Sequence, residues 1–102
     1  MPTNAKALFV VMMDVDEDKE ADFNRVYDEE HIPLILKVPG VISAARFKTS
    51  TEGAPKYVAI YEVENADVPL SDAFTAASDT GEWAPNIRPF TKNRSRIVYE
   101  RI

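Results

Sequence analysis

Seven consecutive apolar residues, Ala7 to Met13 (ALFVVMM), leave no room for a polar face. A strand with one wet side alternates, so an unbroken run of this length reads as a central strand covered above and below. The chain has 102 residues. That length allows one domain, spanning 1–102, and is too short for a second core.

The elements that follow are marked by period and by breakers. Asp14 to Asp18 is acidic and suits a helix N-terminus, where carboxylates meet free N–H groups. From Lys19 to Val38 the spacing is helical: Phe23, Val26, Tyr27 and His31 share one stripe. Pro33 lacks an N–H and clashes with the carbonyl of Glu29, which predicts a kink near His31 and a short continuation through Leu34 to Val38. Pro39-Gly40 stops it. Val41 to Thr49 and Lys56 to Glu64 read as strands, and in the second Tyr57, Ala59, Tyr61 and Val63 alternate with Val58, Ile60 and Glu62. A second helix is predicted from Leu70, Ala73, Phe74 and Ala77, with Pro69 in its first turn and Thr80-Gly81 as its end. Glu82 to Pro89 reads as loop, and Thr91 to Ile102 as containing a last strand.

The order β-α-β-β-α-β is the ferredoxin-like α+β plan. Right-handed crossovers place both helices on one face of a four-stranded antiparallel sheet. The other face is left uncovered, although the first strand is apolar on both sides and the third nearly so. Soluble monomers avoid such a patch, and a second copy of the sheet is the simplest cover, which predicts a homodimer.

Composition removes several functions. There is no cysteine, hence no disulfide, thiolate nucleophile or thiolate metal site, and a cytoplasmic location fits. Residues 1–20 lack the pattern of a signal peptide, and no segment approaches the roughly 20 apolar residues of a membrane span. A net charge of −5 is unfavourable for nucleic acid. The charge is uneven: acids crowd Asp14 to Glu30, while Arg88, Lys92, Arg94, Arg96 and Arg101 load the C-terminal segment. These read as solvated faces that meet, or as cations that attract an anionic ligand.

His31 is the only histidine. It can move a proton near neutral pH, and the Tyr27 hydroxyl, four residues earlier on the same stripe, can orient it or donate beside it. Alternatively His31 satisfies the carbonyl freed by Pro33. One histidine and no cysteine make a transition-metal site improbable, and three isolated glycines write no phosphate loop or dinucleotide fingerprint. No cofactor is therefore expected. Among the aromatics, Trp83 stands out in a loop beside Pro85 and Pro89, where it can cap an opening; Phe23, Phe47, Tyr57, Tyr61 and Phe74 read as core or cavity lining.

The run from Phe23 through Tyr27 and His31-Ile32-Pro33, then Val38-Pro39-Gly40-Val41 and the strand Pro55 to Glu62, resembles the EthD-like branch of the dimeric α/β-barrel superfamily. The likeness extends weakly through Trp83 to Arg88-Pro89. It implies ferredoxin-like subunits paired through their sheets, each with a cavity between sheet and helices. Relatives include cofactor-independent decarboxylases, dehydratases, polyketide cyclases and monooxygenases. The family histidine falls on His31 and the preceding aromatic on Tyr27, whereas Val26 stands where many relatives carry a bulkier aromatic. The resulting expectation is a cofactor-independent lyase, isomerase or cyclase acting on a small apolar carbonyl or aromatic compound. His31 and Tyr27 would be catalytic, and Tyr61, Trp83 and Phe23 would form the substrate pocket. The competing expectation is a non-catalytic small-ligand-binding protein with a structural His31.

Overall fold

The structure, a computed structural model, describes residues 4–102. Residues 1–3 of the domain expected over 1–102 lie outside the described residues. The apolar run becomes β1 (Ala7–Val15), which joins β2 (Val41–Lys48), β3 (Tyr57–Val63) and β4 (Thr91–Glu100) in a sheet of order β2-β3-β1-β4. Every neighbouring pair is antiparallel. This is the expected ferredoxin-like arrangement, with β1 and β3 internal.

Alternation assigns the two faces. Ala7, Phe9, Val11 and Met13 of β1 and Tyr57, Ala59, Tyr61 and Val63 of β3 are buried, and they share one core with Phe23, Val26, Ile35 and Phe74 from the helices. On the opposite face Val10 lies between Ile60 and Ile97, Leu8 opposite Tyr99, and Met12 opposite Val58. These side chains remain half-buried or exposed, with Phe47 56% and Tyr99 52% exposed.

The first helical stretch is divided. After a short 3-10 turn, α1 (Glu20–Val26) passes into a π turn over Tyr27–His31, and α2 (Ile32–Ile35) follows. The kink expected at His31 is thus a widened turn in which the Ile32 N–H reaches back five residues to the carbonyl of Tyr27. Pro33 explains the location: it can give no N–H to Glu29, and a wider turn carries its ring clear of that carbonyl. Helix ends at Ile35, three residues short of the expected Val38.

Two further expectations are corrected. The helix predicted from Leu70 begins later: Val68–Leu70 is a 3-10 turn containing Pro69, Ser71 is extended and caps α3 (Asp72–Asp79) by accepting the Phe74 N–H at 3.2 Å. The cap resets the helical phase, so Leu70 is 77% exposed and Ala73 also faces out, leaving Phe74 as the buried residue. The segment read as loop is instead a second π turn, Trp83–Ile87, followed by a 3-10 turn over Arg88–Phe90. Trp83 and Ile87, one turn apart, are both 2% exposed and fasten it to the core.

β4 carries a bulge. Lys92 pairs with Asp14 and Ser95 with Met12, so two residues, Asn93 and Arg94, face Met13 alone. Asn93 takes φ 55°, and its amide donates to Asp14 Oδ2 at 2.8 Å.

Candidate active site

The two π turns bring the candidate residues together. Tyr27 and His31 occupy the ends of the first and are 3% and 5% exposed; Trp83 opens the second. Trp83 stacks on His31 with ring centroids 4.7 Å apart, and Tyr27 stands edge-on to both at 5.0 Å. The turns are tied by Glu30, whose carboxylate accepts the Glu82 N–H at 2.6 Å. Gly81, at φ +80°, permits this contact, since a Cβ there would strike the same carboxylate.

A cavity of about 210 Å³ separates this cluster from the sheet. His31, Tyr27, Tyr61 and Trp83 line it, with Phe9 and Phe74 on its apolar side and Arg88, Arg94 and Arg96 supplying charge. Phe23 does not line it. Fully buried, it stands one layer back, its ring 5.4 Å from Tyr27, 4.9 Å from Tyr57 and 6.0 Å from Trp83. Sequence spacing places Phe23 and Tyr27 on one stripe but cannot say which turn of the stripe meets the opening. Phe9 escaped notice inside the uninterrupted run of β1, and the arginines were visible only as a charge imbalance.

A larger groove of about 410 Å³ lies between α1 and β2, lined by Asn24, Asp28, Arg46 and Tyr57 among others. There Arg46 donates to Asp28 Oδ1 at 2.6 Å and Asn24 Oδ1 at 2.7 Å, and its guanidinium lies 4.4 Å from the centre of the Tyr27 ring. Arg46 thereby backs Tyr27 from outside the smaller cavity.

Burial first, then the nearby Arg88, Arg46 and Arg94, lower the His31 pKa from 6.5 to about 4, so the ring is neutral at pH 7. Its Nδ1 is buried without a hydrogen-bond partner among the described residues. The capping role, a ring bonded to the carbonyl freed by Pro33, is not formed. The Tyr27 and Tyr61 hydroxyls lie 3.4 Å apart, and either can donate. Burial raises the pKa of both, so both keep their protons near neutrality. The arrangement can therefore hold a substrate oxygen with a phenol and exchange a proton through a neutral imidazole. Among the described residues, no three His, Cys, Asp or Glu side chains are grouped to hold a metal ion.

The lowered pKa sets a pH dependence. The folded state binds the His31 proton less readily than the unfolded chain does, so stability from the neutral ring is complete above pH 6.5 and is lost as pH falls through about 4. The full effect is about 3 kcal/mol. Urea unfolding of the wild type and His31→Gln at pH 7, 5.5 and 4 should show the wild type losing more stability by roughly that amount; parallel slopes would contradict it.

The chain matches no protein-family model and no curated protein sequence. Solved structures resemble it along nearly their whole length. An ethyl tert-butyl ether D (EthD) family protein from Bacillus halodurans is 14% identical with a TM-score of 0.68, the match covering 94% of this chain and 98% of that one. A protein from Bordetella bronchiseptica, provisionally named an antibiotic biosynthesis monooxygenase, is 18% identical with a TM-score of 0.76, covering 97% and 99%. SnoaB from Streptomyces nogalater, a cofactor-independent oxygenase, is 17% identical with a TM-score of 0.67, covering 96% and 94%. No described helix is long and apolar enough to cross a membrane. The chain has the ferredoxin-like α+β fold seen in the EthD and antibiotic-biosynthesis-monooxygenase structures of the dimeric α/β-barrel superfamily.

Proposed function

We propose that this chain is a cofactor-independent enzyme of the lyase, isomerase or cyclase kind, acting in the cytoplasm as a homodimer on a small carbonyl or aromatic compound. The observation that carries the reading is the neutral, buried His31, with Nδ1 unpartnered, in the wall of the cavity that also holds the Tyr27–Tyr61 hydroxyl pair. His31 takes a proton from a carbon next to the substrate carbonyl. A tyrosine hydroxyl donates to the oxygen on which the electron pair collects, and Trp83 holds the imidazole in place. Return of the proton elsewhere on the substrate gives isomerisation, and loss of a leaving group gives a lyase reaction. The cofactor-independent oxygenase SnoaB has the same fold, and capture of a carbanion by O₂ would begin with the same proton removal.

The cavity of about 210 Å³ falls below the roughly 300–1,000 Å³ of drug-sized sites, which favours a compact substrate and also supports a second reading as a small-ligand carrier. Incubation with a panel of small aryl ketones and β-dicarbonyl compounds in D₂O, followed by NMR under air and under nitrogen, separates the readings. Catalysed deuterium exchange without added cofactor is expected. Saturable binding with exchange no faster than in buffer would establish the carrier and overturn the enzyme.

A further inference from the structure

The chain carries a net charge of −5, yet three arginines line the small cavity. Asp79, also in the lining, accepts from Arg88 at 2.7 Å and pairs with that guanidinium. Arg94 and Arg96 pair with no carboxylate among the described residues. Arg96 sits on β4 opposite Val11, on the helix side of the sheet, and its guanidinium lies 5.3 Å from the centre of the Phe9 ring. Cations gathered beside low-dielectric walls repel one another and set up a strong positive potential where a ligand would sit. Burial, then Arg88 and Arg96, lower the Arg94 pKa, which reflects the same crowding. Acids are abundant elsewhere, but none neutralises this pair.

We propose that the ligand of this cavity is a small aromatic acid, its carboxylate held by Arg94 and Arg96 and its ring set against Phe9, Tyr61 and Trp83. The inference rests on the reading of this cavity as the ligand site and adds the charge of what enters it. A guanidinium fork matches the two oxygens of a carboxylate, and the aromatic lining suits a flat body. Anchoring the acid at β4 leaves the other end of the molecule toward His31 and Tyr27 of the helical layer and toward Tyr61, which lies across β1 on β3.

The test uses the full chain labelled with ¹⁵N and two probes of equal shape, cinnamate and the neutral cinnamamide. Trp83 and His31 are the only residues of their types, so the single indole N–H signal and the pair of imidazole nitrogen signals are assignable directly. Cinnamate should shift the signals of both side chains and bind about tenfold or more tightly than cinnamamide, with the preference weakening as salt rises. The double variant Arg94→Gln/Arg96→Gln should bind the two probes equally, while Lys92→Gln, which also removes a charge from β4, should keep the preference. Thermal melting of each variant confirms that it is folded, and the single variants serve should the double one fail. Equal binding of both probes by the wild type would overturn the acid but leave the cavity as a site. A preference that survives the double variant would overturn the role of these arginines. No shift with either probe at millimolar concentration would overturn the proposal together with the cavity reading on which it rests.

Discussion

Replacing His31 with glutamine is expected to slow turnover by about 10²- to 10⁴-fold, the usual share of general acid–base assistance. Glutamine retains hydrogen-bonding atoms but cannot cycle a proton. The fold should tolerate the exchange. His31 Nδ1 has no partner to lose, and the change removes a stacked ring contact with Trp83 while sparing the Glu30–Glu82 bond that ties the two turns. A stability loss of about 1 kcal/mol at pH 7 is expected. The reverse outcome, turnover intact and stability lower by several kcal/mol, would make His31 a packing residue and remove the proposed chemistry.

The second large effect concerns association. Ile60→Asp should convert the proposed dimer to monomer, weakening association by roughly 100-fold or more, because a carboxylate at the centre of an apolar contact loses its water without gaining a partner. Ile60 lies between Val10 and Ala45 on the uncovered face. Its neighbour Tyr61 points the other way and is 1% exposed, so the same charge there would test the core instead. Sedimentation across a wide concentration range should give a dimer for the wild type and for Ile60→Val, and a monomer for Ile60→Asp. A wild-type monomer at every concentration would end the proposal of a homodimer.

The order of strands and helical stretches along the chain was legible because β1 is apolar without interruption, β3 alternates cleanly, and Pro39-Gly40 and Thr80-Gly81 break the chain where the structure turns. The π turns were not. Tyr27 with His31 and Trp83 with Ile87 are each four apart, and over a single turn that spacing looks the same in an α-helix and a π-helix. Pro33 announced a disturbance without stating its form. The α3 boundary was missed because Leu70 fits an apolar stripe, and only the extended backbone at Ser71 shows that the stripe is broken before it begins. In the site, His31, Tyr27, Tyr61 and Trp83 meet in one cavity. Phe23 was displaced by one layer, a distance that periodicity does not encode.

The extra residue in β4 decides which face of the sheet every later side chain of the strand meets. Before it, odd-numbered positions face the helices, Thr91 pairing with Val15; after it, even-numbered ones do, Arg96 pairing with Val11 and Val98 with Phe9. Had the strand paired on from Lys92 without the skip, every later side chain would change sides. Arg94 and Arg96 would then project onto the outer apolar face, and Ile97 and Tyr99 would enter the cavity. The same ten residues thus hold two incompatible allocations of charge and grease, and the left-handed backbone of Asn93, fastened to Asp14, selects between them. The proposed ligand anchor inside the subunit and the proposed pairing face between subunits are therefore set together, through the backbone angle of one asparagine.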